Sequence, residues 1–396
     1  MFNLGEISMK KSLVALAALA ATTAFAQSSV TLYGRLDLGT QSQKETNNTG
    51  LPAALDSFKK TTELVGAHNV RTGSRVGVRG TEDLGGGLKA NFVIETRVDP
   101  DSSASTFGTT RAGNLSLTGG FGAVVIGTYQ NSFDDTRYAF NPNMGGIAGG
   151  DIQGRVHTGG ALKAALGAAV GATPGATLTA AQLALIGGVG YTQAQFDADG
   201  TLGFSDRSTN SLGYRTPSFG GFDFRANISK QATNPGVDTT GYGIAAGYNN
   251  GPIGAVIAYG TAKNKLLTNT TSTGANKIND LGFSVKYDLG VAVPFFSFET
   301  SKNSIANTYI KVTSYETGAK FPLGAFTPYI TFGGAKHKDE TNTFAKSRAF
   351  QIGTTYDISK RTYVYGGIGR DRTNGTNGAT FSNKRAGFAA GLVHSF

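Results

Sequence analysis

The sequence predicts an all-β protein, a sixteen-stranded antiparallel transmembrane β-barrel with a long third loop, on three observations. The chain ends inside a strand: from Arg385 on, Phe388, Ala390, Leu392, His394 and Phe396 share one face while Arg385, Gly387, Gly391 and Ser395 share the other. About sixteen period-2 segments of ~10 residues precede that end, the length a tilted strand needs to cross a bilayer. Their connections alternate between tight turns and long polar loops. A terminal strand left unpaired exposes an edge in water and unsatisfied backbone groups in lipid; pairing the last strand with the first removes both problems.

The N-terminus names the solvent. Lys10-Lys11 precedes the apolar stretch Leu13 to Phe25, and Ala24-Phe25-Ala26 offers the small residues a signal peptidase reads. Residues 1–26 are therefore read as a signal peptide, with Met9 a candidate true start and Gln27 the mature N-terminus. A spanning helix is the alternative, but the apolar run is shorter than the ~20 residues a span requires.

Residues 27–396 read as one barrel. Fifty-seven glycines, 10% aromatic residues, 16% charged residues and no cysteine describe strands and turns without a disulfide frame. No linker tract divides the chain. Strands are expected at roughly 30–40, 73–82, 87–98, 109–118, 121–130, 207–217, 221–230 and 240–249. They continue at 253–263, 278–289, 292–302, 310–321, 325–336, 347–357, 361–372 and 384–396. Tight turns such as Asp83-Leu84-Gly85-Gly86, Gly119-Gly120 and Asp288-Leu289-Gly290 interleave with longer Asn/Thr/Lys-rich loops, Gln41 to Val70, Leu266 to Lys277 and Asn374 to Phe381 among them. Short inner turns and long outer loops are the layout of an outer-membrane barrel.

Alternation alone does not separate this from a soluble sandwich. In Leu281 to Asp288 and Phe222 to Ser229 one face is aromatic and aliphatic and the other mixes charge with small residues, which assigns the apolar face to lipid. That choice turns Tyr33, Arg35 and Asp37 inward on the first strand, Arg75 and Arg79 on the second, and Lys89, Glu95 and Arg97 on the third. Arg215 follows on the sixth, with Asp223 and Arg225 on the seventh. Arginine suits a pore wall, because its charge does not titrate away and its planar head is held by neighbouring hydrogen bonds. Each arginine alone is equally consistent with solvation or a local ion pair; as a group they make a field.

Ser29-Val30-Thr31-Leu32-Tyr33-Gly34, the block Ser74 to Ala90, and Asn210 to Pro217 resemble the general diffusion porins of Gram-negative bacteria, most of all the beta-proteobacterial branch. The resemblance covers nearly the whole mature chain. It implies homotrimers of sixteen-stranded barrels in the outer membrane, a third loop folded into each lumen, and recognition of Phe396 as an assembly signal by the outer-membrane assembly machinery. One departure is Val393, where the family often carries arginine.

The third loop is the connection 131–206. If it folds inward, Asp134, Asp135 and Asp151, with Arg137 and Arg155 nearby, oppose the arginine wall and set up a transverse field. Within it, 159–189 is an Ala/Gly-rich insertion in which Thr179 to Gly187 reads as a capped short helix. Plugging the lumen, covering the mouth and packing at a subunit contact all fit that insertion.

The expected function is a water-filled channel for passive diffusion of small hydrophilic solutes and ions with a moderate preference for anions. Net charge is +10, and about +9 once Lys10, Lys11 and Glu6 leave with the signal peptide. Part of that charge can instead meet lipopolysaccharide phosphates, Lys44, Lys59, Lys60, Lys263, Lys265, Lys338 and Lys346 being candidates. Nothing reads as an enzyme, a nucleic-acid binder or a cofactor site. His68, His157, His337 and His394 are scattered, and Asp197-Ala198-Asp199 lacks the later calcium ligands. The alternative is a substrate-specific channel for sugar or phosphate, with inward Tyr33 or Tyr329 starting an aromatic track; a barrel with a closed lumen, which would pass almost no current, is a third reading.

Overall fold

A computed structural model describes residues 29–48, 57–66, 73–100, 107–133, 139–140, 207–232, 236–267, 276–305, 308–340, 343–377 and 379–396. They form β1 (Ser29–Asn48), β2 (Ser57–Gly66), β3 (Arg75–Gly85), β4 (Leu88–Val98), β5 (Phe107–Gly119), β6 (Gly122–Gln130), β7 (Arg207–Arg215), β8 (Phe222–Ala232) and β9 (Gly236–Asn250). The sheet continues through β10 (Ile253–Leu267), β11 (Asn276–Tyr287), β12 (Val293–Ile305), β13 (Thr308–Lys320), β14 (Phe326–Lys338), β15 (Thr343–Asp357), β16 (Thr362–Asn377) and β17 (Ala379–Ser395).

All of these strands lie in one closed antiparallel sheet. The seventeen segments fill sixteen places. β3 pairs the start of β1, from Ser29 opposite Thr81 to Arg35 opposite Arg75, while β2 pairs the rest, from Gly39 opposite Gly66 to Asn47 opposite Ser57. β2 and β3 thus share the second place in the ring. The long loop expected at Gln41 to Val70 is mostly this ladder; β16 and β17 likewise run through nearly all of the expected loop Asn374–Phe381, whereas β10 and β11 take only the end residues of Leu266–Lys277. Hydrophobic alternation marks a strand only where one face meets lipid; beyond that belt both faces are wet and a polar strand reads as a loop.

The ring closes between β1 and β17, with Arg35 opposite Ser395 and Asn48 opposite Ser382. The last residue completes it. Phe396 N–H donates to the Gly34 carbonyl at 3.1 Å, and Gly34 N–H donates to the Phe396 carbonyl at 3.0 Å. Gly34 has to be glycine here, since a Cβ would stand 2.4 Å from the Phe396 ring and 2.9 Å from the Arg75 carbonyl oxygen. Tight turns fall where expected; at one, Gly290 (φ 79°) donates its N–H to Asp288 Oδ1 at 2.8 Å.

Burial is inverted relative to a water-soluble protein. Leu32, Ile94, Leu115, Phe224, Ile244, Phe332, Ile368 and Phe388 are exposed on the outside, while Asp37, Asp223, Asp280, Glu299, Glu316, Gln351 and Asp371 are buried within. The parity assignment therefore holds: lipid-type surface outside, polar surface inside. Residues 1–28 and 141–206, and with them the expected signal peptide, the 159–189 insertion, the short helix and Asp197–Asp199, lie outside the described residues.

Candidate functional site

Register gathers the arginines. Arg35 faces Arg75 across β1 and β3, and Arg75 faces Arg97 across β3 and β4, so three guanidiniums start from one row of the inner wall. Like charges directly opposite repel, so each needs a local anchor. Arg35 Nε donates to Ser395 Oγ at 3.2 Å, and Arg75 Nε donates to the Gly73 carbonyl at 3.3 Å. Arg97 Nε donates to Asp99 Oδ1 at 2.9 Å. Arg79 stands over the Tyr33 ring, 5.1 Å from its centroid.

Glu95 organises the cluster. Its Oε2 accepts from the Tyr33 hydroxyl at 3.1 Å, its Oε1 accepts from Arg111 Nε at 2.7 Å, and Arg75 Nη1 lies 3.8 Å from the same oxygen. Arg111 was not among the residues that alternation turns inward. It shares parity with Leu115 and Leu117, which face outward, and a bulge in β5 puts Thr110, Arg111 and Ala112 against Glu95 and Thr96 and sends the guanidinium to Glu95. An arginine with lipid-facing parity is itself the signal that a bulge is needed, because a cation is costly there. Arg207 was missed as well. It opens β7, with no alternation before it to set its face, and it lies with Arg35 and Arg111 close enough to Arg75 for their charges to interact.

Arg215 and Arg225 stand apart from this group. Both grip Asp223 toward the short-turn end of β7 and β8, Arg215 Nη2 at 2.7 Å from Oδ2 and Arg225 Nη2 at 3.0 Å from both oxygens. They belong to the same inner wall but form a separate carboxylate-bound triad.

Across the lumen the wall changes sign. With β2 and β3 sharing a place, β12 is half-way round the ring from β4. Asp280 on β11, Glu299 on β12 and Glu316 on β13 face inward there and are 1–2% exposed. Among the described residues, inward cations on that half are fewer, and Arg385 is held 3.0 Å from Asp371. Tyr33 and Tyr329, the two candidates for an aromatic track, give their hydroxyls to Glu95 at 3.1 Å and Gln351 at 3.0 Å.

Two described pieces of the 131–206 connection touch the inner wall. Phe133 is fully buried against Ala245, Ala258 and Ala262, and Ser132 N–H donates to Asn227 Oδ1 at 3.4 Å. Phe140 lies against Gly254, with Lys286 Nζ 5.4 Å from its ring centroid. Between Phe140 and the Asp223 triad is a cavity of about 420 Å³. Asp134, Asp135, Arg137, Asp151 and Arg155 lie outside the described residues.

Comparison with known proteins gives the same architecture. A family model described as Gram-negative porin matches residues 12–376. Outer membrane porin protein 32 of Delftia acidovorans is 30% identical over 369 residues, 91% of this chain and 89% of that protein. An outer membrane porin protein of Bordetella pertussis is 27% identical over 411 residues, 92% of this chain and 95% of that protein. Among solved structures, an anion-selective porin from Comamonas acidovorans matches with a TM-score of 0.66 and 22% identity, over 93% of this chain and 100% of that one.

Proposed function

This chain belongs to the Gram-negative porin family, non-enzymatic β-barrel channels of the outer membrane, and from that premise we propose that it is a general diffusion pore that prefers anions. The observation that carries the preference is the convergence of Arg75 and Arg111 on the carboxylate of Glu95, with Arg35 and Arg207 within electrostatic range of Arg75 and an acidic wall half-way round the ring. The charges sit on strands, so the field is fixed before a solute arrives. An anion crossing near β1–β5 is stabilised and a cation is repelled; the acidic wall opposite orients dipolar solutes across the gap. No binding step is required, and selectivity is a difference in electrostatic work. A protein of similar fold is described as anion-selective.

The finer parts of the reading go with it. Residues 1–26 direct export and are removed. The 131–206 connection turns into the lumen, with Asp134, Asp135, Arg137, Asp151 and Arg155 at the constriction; the contacts of Phe133 and Phe140 with the inner wall support that course. The barrels assemble as homotrimers, and Phe396 on the outward face is read by the assembly machinery. The test is the zero-current potential of the purified protein in a planar bilayer under a salt gradient. An anion-selective sign supports the proposal, and a cation-selective sign overturns it.

A further inference from the structure

We propose that the cavity of about 420 Å³ at the short-turn end of the lumen is a weak subsite for small monocarboxylates with a flat apolar body, single-ring aromatic carboxylates above all. The inference deepens the proposed function and rests on it only in taking the lumen as a water-filled path. The cavity is separate from the arginine cluster around Glu95, and its wall is part cationic and part apolar. Arg215, Arg225, Asp223 and Asn249 line it together with Phe140 and Val256. Its volume is that of a small-molecule site, which runs from ~300 to ~1,000 Å³.

Charge selects the sign of the occupant. Arg215 stands directly opposite Arg225 across β7 and β8, and two guanidiniums at that spacing repel. Asp223 neutralises one of them. Its Oδ2 accepts from both arginines and its Oδ1 from Arg225, so this carboxylate, 8% exposed, has little left for a cation. Two guanidiniums and one carboxylate leave the triad with one formal positive charge. That charge is most accessible on Arg215, whose side chain is 58% exposed and which, among the described residues, bonds only Asp223, through Nη2. A guanidinium has five N–H donors in a planar fork, so Arg215 holds a second carboxylate without releasing Asp223. The Asn249 amide adds a neutral donor to the same wall, and Lys286 a further cation behind Phe140, its Nζ 5.4 Å from the ring centroid.

Space selects its body. At Gly247 a Cβ would stand 2.6 Å from Asp223 Oδ1 and 3.3 Å from Arg225 Nη2, and at Gly254 it would stand 2.9 Å from the Phe140 ring. Glycine at these two positions makes room for the triad on one side and for the ring on the other. Phe140 and Val256 thus present apolar surface in the same cavity as the open guanidinium. An inorganic anion satisfies only the charge, and a neutral ring only the apolar wall. A carboxylate carried on a ring meets both. The exposure of Arg215 keeps the affinity weak, on the order of millimolar, as a solute that must leave again requires.

The test titrates benzoate into the folded full-length barrel in neutral detergent and reads binding by saturation-transfer NMR against micelles alone. Acetate, benzamide and inorganic phosphate are the competitors. Benzoate is expected to saturate on the order of millimolar, and each competitor to need at least about fivefold more to displace it. R215Q should weaken benzoate binding about fivefold by removing the charge that meets the carboxylate. F140A, which alters no strand, provides the same test should R215Q fold poorly, and it should narrow the gap between benzoate and acetate. No saturation above that of the micelles, displacement by any competitor at equal concentration, or wild-type affinity in a folded variant would each overturn the proposal. The zero-current potential is a separate readout. A cation-selective sign overturns the proposed function and leaves this subsite standing, whereas an anion-selective barrel that does not bind benzoate does the reverse.

Discussion

The two halves of the barrel wear their positive charge on opposite faces. From β1 to β8 the arginines point inward and the outside is Val, Leu, Ile and Phe; from β11 to β17 the inside carries Asp280, Glu299, Glu316 and Asp371 while Lys346, Arg348, Arg372 and Lys384 point outward. The same excess of basic residues is thus divided between a lumen field and an outer surface. Net charge sums the two and distinguishes neither. Only the parity of each strand does, because a one-residue step moves a side chain from water-filled pore to membrane.

The most severe way to break the comparison is to part the halves at their seam. Gly34→Val puts a Cβ against the Arg75 carbonyl oxygen and the Phe396 ring. It should cost about 1–3 kcal/mol and sharply reduce the heat-modifiable folded barrel on gels. Phe396→Ala acts on the same seam and should reduce assembled barrel in membranes several-fold; wild-type levels would remove its side chain from both closure and assembly.

Next in size is the inward field itself. Replacing Arg35, Arg75 and Arg111 together with alanine should lower the anion-to-cation permeability ratio by about tenfold, equivalent to roughly 1.4 kcal/mol, in zero-current measurements. An unchanged ratio would take these side chains out of the permeation path. Glu95→Gln sharpens the point because its sign is opposite. Removing the carboxylate that Arg75 and Arg111 share should raise the ratio by about two- to threefold, whereas mere loosening of the wall would lower it.

The smallest effect belongs to the outer face. Arg348→Gln with Arg372→Gln should leave the ratio unchanged, because the wall and salt screening over a Debye length of ~8 Å separate those charges from permeating ions. A shift comparable to that of the inward triple would show that the two faces are not electrically independent.

Legibility followed the environment of each segment. Where one face meets lipid, as in Phe222 to Ser229 and Phe388 to Phe396, the alternation located the strand and assigned its faces. Where both faces are wet, as along Gln41 to Asn48, the same backbone passed for loop, and β2 went unseen. Parity assigned Arg35, Arg75, Arg79, Arg97, Arg215 and Arg225 to the inner wall, and it passed over Arg111, because it cannot count across a bulge.

By itself the sequence determined that this chain is a strand-built barrel with lipid outside and water inside, because a two-residue period exposed to two solvents is written in every membrane-spanning segment. Tertiary structure decided which charges act together. Glu95 holding Arg75 and Arg111, Asp223 holding Arg215 and Arg225, and the acidic wall facing the basic one all depend on register, bulges and ring closure. Those join residues far apart in the chain, and no local pattern encodes their distance.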